Sequence, residues 1–242
     1  AATAIALAAQ GAHVVLTARN AKDLESVEDA IFNAGGSATI APLDLTDGDS
    51  IARLAAAVTE RWGKLDMLVL NAAMLGTLAP VPAIDGAELS RVFTLNVIAQ
   101  QVLIASFDAL LRKSEAGRLI ALTSSVGATP RAFWGAYGAS KAGLRYLFES
   151  LRIDLADEGI EVTIVSPGFV ETPLTAKNDF PMPLSWPADK AARHVFAKLK
   201  DRPLEIAFAR LFMAALWPLS KLPARAQLAI GKRMVRKNPP QR

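Results

Sequence analysis

The chain has 242 residues, 52% of them hydrophobic and 21% charged, with a formal net charge of +4 at pH 7. That size and balance suit one large α/β domain with a substantial core and exclude an intrinsically disordered chain. No cysteine is present, which excludes disulfides and thiolate metal centres, and the two histidines, His13 and His194, stand in unrelated contexts that point to no metal. From Lys200 onward ten Lys/Arg face only Asp201 and Glu205, a balance of +8, which leaves −4 for residues 1–199. Basic charge confined to an apolar-laced tail does not make a nucleic-acid-binding face.

Ala1–Gln10 is alanine-rich and predicts a helix stopped by Gly11. His13–Thr17 is a short apolar run of the kind buried on both faces of a sheet. Asp23–Asn33 predicts a helix ended by Gly35-Gly36, and Ala38–Leu43 predicts a strand leading into Asp44. Ser50–Trp62 is a predicted helix with Gly63 as its stop, and Leu65–Leu70 is a strand ending at Asn71-Ala72-Ala73. A long helix is expected over Glu88–Leu111, from apolar residues at helical spacing. The strand Arg118–Thr123 then leads into Ser124-Ser125. A helix runs from around Tyr137 to Ala156, and the strand Glu161–Ser166 precedes Pro167-Gly168. Leu204–Phe208 reads as a last strand. No uninterrupted apolar stretch of membrane-spanning length is expected, and the N-terminus lacks the basic n-region of a signal peptide. A cytoplasmic location follows as an expectation.

Alternation of this kind predicts a Rossmann-like, doubly wound parallel sheet, in which ligands bind beyond the carboxyl ends of the strands. Arg19, Asp44, Asn71, Ser124 and Pro167-Gly168 all fall at such ends. Tyr137 and Lys141 are four apart on a helix and share one face. A neighbouring ammonium favours phenolate, so the tyrosine pKa is expected to fall from its usual value of about 10. A serine hydroxyl held nearby can orient a substrate oxygen for proton transfer.

In chain order, Asp44, Asn71-Ala72-Ala73, Asn96 in Thr-Leu-Asn-Val, Ser124-Ser125, Tyr137-x-x-x-Lys141 and Pro167-Gly-Phe-Val-Glu-Thr172 resemble the motifs of the short-chain dehydrogenases/reductases. The resemblance covers nearly the whole length. It implies that Tyr137 is the general acid in reduction and the base in oxidation. Lys141 would lower its pKa and bond the nicotinamide ribose, and Asn96 would fix a water in a proton relay behind Lys141. Ser124 would hold the substrate oxygen. Spacing to the tyrosine selects Ser124, whereas alignment on the Ser-Ser-Val-Gly text favours Ser125.

For the cofactor, the resemblance implies that Asp44 accepts from the adenine amino group and Leu45 packs on the ring. Asn71, Ala72 and Ala73 would lie beside the cofactor, with Ala73 where the family more often has glycine. Pro167, Gly168, Val170 and Thr172 would meet the nicotinamide end. A carboxylate after the second strand of the family would select NAD, but Thr17-Ala18-Arg19-Asn20 has none. Arg19 offers a planar fork to a 2′-phosphate, which favours NADP(H) over NAD(H). The implied activity is interconversion of a carbonyl and a secondary alcohol, with a catalytically silent binding or regulatory module as the alternative.

Two regions depart from the family pattern. Its opening strand and glycine-rich turn, Thr-Gly-x-x-x-Gly-x-Gly, do not occur in the sequence, and Ala1 falls just inside the helix that would follow them. We therefore expect the 242 residues to begin inside a longer chain, and the strands flanking the absent one to carry unpaired edges. Residues 1–208 are expected to form the dinucleotide-binding and catalytic domain, and residues 209–242 a basic amphipathic extension. With Trp217 and flanking basic residues, that extension resembles a membrane-interface helix. The competing readings are a helix packed over the substrate cleft and a contact between subunits of a homo-oligomer. Leu174–Pro187, with Phe180, Met182 and Trp186, is expected to be the substrate loop, and Phe133 and Trp134 to line the same pocket. These aromatics suggest a small apolar carbonyl or alcohol.

Overall fold

A computed structural model describes residues 1–127, 130–177, 182, 184–208 and 222–234. Its first half runs α1 (Ala2–Ala8), β1 (His13–Ala18), α2 (Ala21–Asn33), β2 (Ser37–Pro42), α3 (Gly48–Trp62) and β3 (Met67–Leu70). Helix starts carry short acceptor side chains: Asn20 accepts from the Lys22 N–H before α2, and Asp47 from the Asp49 N–H before α3. Gly11 (φ 88°) follows α1 and Gly63 (φ 71°) caps α3, both in the left-handed region where a side chain would be strained.

The second half begins with α4 (Gly86–Phe93), a π-turn over Thr94–Ile98 and α5 (Ala99–Leu111). The single helix expected over Glu88–Leu111 is therefore interrupted. The inserted π-turn carries Asn96, whose amide gains three hydrogen bonds to neighbouring segments. This composite helix is apolar and long enough to cross a bilayer, which the sequence reading did not expect, yet Val92, Leu103, Phe107, Leu110 and Leu111 are buried against the rest of the protein. Then come β4 (Arg118–Leu122), α6 (Gly135–Asp154) and β5 (Glu161–Ser166). The short strands β6 (Val170–Glu171) and β7 (Trp186–Pro187) pair with each other and precede α7 (Ala188–Leu199), β8 (Glu205–Ala207) and α8 (Ala224–Met234).

Every strand pairing among the described residues is parallel. β1 and β2 form one ladder, from His13↔Ser37 to Ala18↔Pro42, and β3-β4-β5-β8 form a four-stranded sheet. Among the described residues no ladder joins β1 to β3, which is where the absent family strand was expected to leave open edges. Helix α1 spans the two groups. Ala4, Ile5 and Ala8 pack with Leu16, Leu24 and Ile31, while Ala6 and Leu7 pack on the cluster of Ile120, Val165, Phe196 and Ile206. The largest cluster lies between the four-stranded sheet and α3, α5 and α6, with Ile51, Leu70, Phe107, Leu119, Phe148 and Ile164 at its centre. Most of the 209–242 extension lies outside the described residues. Within it α8 leaves Leu228 exposed.

Candidate active site

The carboxyl ends of β3, β4 and β5 release three segments side by side: Asn71–Ala73, Thr123–Ser125 and Pro167–Gly168. Together with the first turns of α1 and α6, with β6 and with α7, they enclose a cavity of about 430 Å³. Tyr137 and Lys141 project into it from α6, one turn apart.

Lys141 is 2% exposed, and its Nζ donates to the Leu122 carbonyl at 2.8 Å. Burial disfavours the ammonium and draws its pKa from 10.5 down to about 8. Tyr137 responds to the same cover in the opposite direction. Burial pushes the phenol from 10.0 up to about 12, opposed in part by a hydrogen bond with the Ser124 side chain. The expected fall of the tyrosine pKa is thus reversed. Lysine and tyrosine do share a face, but Nζ lies 5.8 Å from the ring centroid and is turned to Leu122. Desolvation outweighs the neighbouring charge, and Tyr137 is a neutral hydroxyl throughout the physiological range.

The two candidate serines sit differently. Ser124 is half-buried, accepts from the Val126 N–H at 3.2 Å and meets the Tyr137 phenol. Ser125 is buried in the 3-10 turn Ser125–Gly127, and its N–H donates to the Pro167 carbonyl at 3.3 Å. That turn presses on the α6 backbone. A Cβ on Gly127 would stand 2.9 Å from the Lys141 carbonyl carbon and 3.0 Å from the Ala142 nitrogen, so only glycine lets the serine segment approach the α6 backbone so closely. Trp134 meets the Tyr137 ring edge-on at 6.0 Å and forms part of the cavity wall.

Asn96 is fully buried. Its Oδ1 accepts from the Met74 N–H at 2.8 Å, and its Nδ2 donates to the Met74 carbonyl at 2.9 Å and to Ser140 Oγ at 3.0 Å. Ser140 in turn donates to the Tyr137 carbonyl at 2.8 Å. Asn96 therefore ties the loop after β3 to the first turn of α6, and its side chain makes no bond to Lys141. Sequence reasoning gave Ser140 no role, although it stands inside the Tyr-Gly-Ala-Ser-Lys motif. It also passed over Gln100, four residues beyond Asn96, whose Nε2 donates to the Ala72 carbonyl at 3.2 Å. Its spacing of four residues from Asn96, which puts the two amides on one helix face and leaves the adjacent Gln101 off it, was the available signal.

Asn71, Ala73, Pro167, Gly168, Val170 and Thr172 line the cavity, whereas Ala72 contributes its carbonyl behind the wall. The Thr172 hydroxyl pairs with Thr175 Oγ1 at 3.1 Å. Arg19, Asp44 and Leu45 sit outside the cavity, at the carboxyl ends of β1 and β2. Arg19 is exposed. Asp44 accepts from the Thr46 N–H at 2.9 Å and from its hydroxyl at 2.8 Å, and these bonds, with a smaller contribution from the Arg19 charge, hold the carboxyl below the usual range. Leu45 is half-buried against the main core. In the expected substrate loop Phe180 lies outside the described residues, and Leu174 lines the cavity. Trp186 does not line it. Its ring stacks on Phe208 at 5.1 Å and meets His194 edge-on at 5.3 Å, so it belongs to the core beside α7. Phe133, held at φ 70°, is likewise not part of the cavity wall.

A parallel sheet whose carboxyl edge carries a Ser–Tyr–Lys set, the lysine buried and the two hydroxyls half-buried beside a cleft, defines the class of nicotinamide-dependent oxidoreductases. A family profile described as short chain dehydrogenase matches residues 1–181, and the chain belongs to that family. It is 36% identical over 217 residues to cis-4-hydroxycyclohexanecarboxylate dehydrogenase of Sinomonas cyclohexanicum, a match covering 89% of this chain and 84% of that one. A metagenomic short-chain oxidoreductase, solved in complex with NADP, superposes with a TM-score of 0.73 at 32% identity, over 85% of this chain and 89% of the other. A short-chain dehydrogenase from Streptomyces avermitilis superposes with a TM-score of 0.80 at 28% identity, over 96% and 91%.

Proposed function

We propose that this protein is an NADP(H)-dependent oxidoreductase that interconverts a small, uncharged, apolar ketone and its secondary alcohol. The observation that carries the reading is the neutral, half-buried Tyr137 hydroxyl beside Ser124 in the wall of an otherwise mostly apolar cavity. The residues present fit the nicotinamide end of a dinucleotide. Lys141 has three N–H groups and places one on Leu122, which leaves two for ribose hydroxyls. Asn71, Thr123 and Thr172 add polar groups around the same cleft, with Pro167 and Gly168 between them. When bound, the nicotinamide supplies or takes the hydride.

Ser124 and Tyr137 donate to the substrate oxygen, where negative charge develops, and this is the position at which a preorganised donor lowers the barrier most. Tyr137 then passes its proton to that oxygen. Lys141, whose pKa of about 8 leaves it able to gain or release a proton near neutrality, balances the charge left on the phenol. Asn96 keeps Met74 and the first turn of α6 in register, and a water fixed by it would form the proton relay behind Lys141. Arg19, exposed after β1 with no carboxylate beside it in that turn, is assigned to the adenosine 2′-phosphate, and the NADP-bound relative supports the choice. Asp44 is assigned to the adenine, with Leu45 beside it. Residues 1–208 would be the catalytic unit, residues 209–242 an extension, and the protein a homo-oligomer.

The cavity wall supports an uncharged substrate. Leu75, Trp134, Phe169, Val170 and Leu174 are apolar, Lys141 is its one basic side chain among the described residues, and Glu171 would repel an anion. In this respect the site differs from what the name of the Sinomonas relative, a carboxylate dehydrogenase, leads one to expect.

Fluorescence titration with NADPH and NADH, followed by turnover of cyclic and aromatic ketones, tests the reading. NADPH should bind at least about tenfold more tightly, and Arg19→Glu should remove that preference. Tyr137→Phe should still bind nucleotide and lose about 10²–10⁴ in turnover. Absence of binding for both nucleotides, or binding without turnover of any carbonyl, would favour a silent module over an enzyme.

A further inference from the structure

Gln100 is 1% exposed at the start of α5, among Ala99, Leu103 and the core beneath them. Its Nε2 donates to two carbonyls, Ala72 at 3.2 Å and Leu95 at 2.9 Å. The first belongs to the Asn71–Ala73 segment that borders the cleft, the second to the π-turn that carries Asn96. Asn96 grips both backbone polar atoms of Met74 from the same helix. Two amide side chains four residues apart thus hold the backbone on either side of Ala73, which lines the cavity.

The other amide atom shows what this arrangement costs. Gln100 Oε1 is buried and has no hydrogen-bond partner among the described residues. Methionine would fill a similar volume without stranding a polar atom. Turning the amide over would set its oxygen against both carbonyl oxygens, so the two acceptors fix its orientation. A π-turn is itself a departure from regular helix that recurs at functional sites.

We propose that Gln100 is a positioning residue: it clamps the cofactor-facing segment Asn71–Ala73 to the π-turn, so that this wall of the cleft is in place before nucleotide arrives. The clamp stands on the hydrogen bonds alone, whereas its effect on nucleotide affinity rests on the function proposed above. The test compares wild type with Gln100→Met and Gln100→Glu, by hydrogen–deuterium exchange without nucleotide and by NADPH titration.

In Gln100→Met, amides of residues 72–76 should exchange about five- to tenfold faster, while those of β4 and the middle of α6 keep their protection. NADPH affinity should fall by a similar factor, with turnover at saturating nucleotide changed less than about threefold. Gln100→Glu should behave worse than Gln100→Met at neutral pH, because a carboxylate would face two carbonyl oxygens. It should recover as pH falls and the carboxyl regains a donor proton, a dependence the methionine variant lacks. Wild-type exchange over residues 72–76 in Gln100→Met overturns the clamp. If wild type binds no nucleotide, the functional reading fails and the exchange data alone decide the proposal. If Gln100→Met does not fold, the pH dependence of exchange in Gln100→Glu decides it.

Discussion

Lys141→Met should produce a more stable and inactive protein. In the folded state the lysine pKa falls from 10.5 to about 8 under burial. A tenfold change in an ionisation constant corresponds to about 1.4 kcal/mol, so keeping the ammonium buried at pH 7 costs the fold about 3 kcal/mol. Methionine matches the length of the lysine stem and carries no charge. It forfeits the bond to the Leu122 carbonyl, worth about 1 kcal/mol, which leaves a net gain of about 2 kcal/mol at pH 7. The pH dependence carries a definite sign. Between pH 8 and 10.5 the unfolded chain holds a proton on Lys141 that the folded chain has released, so wild-type stability rises with pH through that window and is lost as pH falls through 8. By pH 9.5 the cost of the charge has dropped to about 1.5 kcal/mol, and the gap between the proteins should nearly close. Measurements should stop short of pH 10, where the raised pKa of Tyr137 begins to contribute: its neutral phenol stabilises the fold below 10, and that contribution disappears as pH climbs from 10 to about 12. Urea unfolding of both proteins at pH 7 and 9.5 provides the data. A variant less stable than wild type at pH 7, or a gap that does not change with pH, would refute the argument that burial of the charge dominates this position.

Gly127→Ala places a methyl group within 2.9–3.1 Å of the Lys141 and Ala142 backbone, which cannot yield as a flexible side chain would. We expect a loss of about 1–3 kcal/mol, seen as a melting temperature lower by about 2–10 °C, together with reduced turnover because Ser124 moves relative to Tyr137. An unchanged melting temperature would show that the turn can shift freely. Ser124→Ala should lower kcat by about 10²–10³ while leaving nucleotide affinity near wild type, and Ser125→Ala should lower it by less than about tenfold. The reverse order would assign the substrate-facing hydroxyl to Ser125.

The strand-end motifs were legible because a buried strand fixes where its last residue emerges, and apolar runs such as Glu161–Ser166 mark that residue closely. Asn71, Ser124 and Pro167 came together for this reason. The relation between Tyr137 and Lys141 was legible only in part. Spacing fixes their shared face, but the sign of the tyrosine shift depends on how much protein covers the phenol, and that cover includes Trp134 and other segments. The π-turn left no trace because the apolar periodicity of residues 86–111 runs through it. Strands β6 and β7 are two residues each, too short for any period, and exist by pairing across sixteen positions, Val170↔Trp186. Trp186 read as a pocket residue because its core partner, Phe208, lies beyond an entire helix. Helix α7 was a readable omission: Asp189 in its first turn and apolar Ala191, Ala192, Val195, Phe196 and Leu199 give a start and a stripe.

The placement of buried polar groups explains how the site stays in register. Gln100 on α5 and Lys141 on α6 are both nearly inaccessible, and each begins a stripe with the same spacing. Leu103 and Phe107 follow Gln100 by three and seven residues, and Leu144 and Phe148 follow Lys141 by three and seven. At that spacing the apolar side chains lie on the face that carries the polar one, and all four belong to the main core cluster. Full burial of each is worth about 1.5–3 kcal/mol, comparable with the cost of the charged Lys141. Each helix is therefore held by its apolar turns, while its first turns support groups that would otherwise escape to water. A tilt that let Lys141 reach solvent would pull Leu144 and Phe148 off Leu119 and Ile164 of the sheet. The lysine stays buried because its helix is anchored one and two turns further along, and its lowered pKa is a consequence of that anchoring.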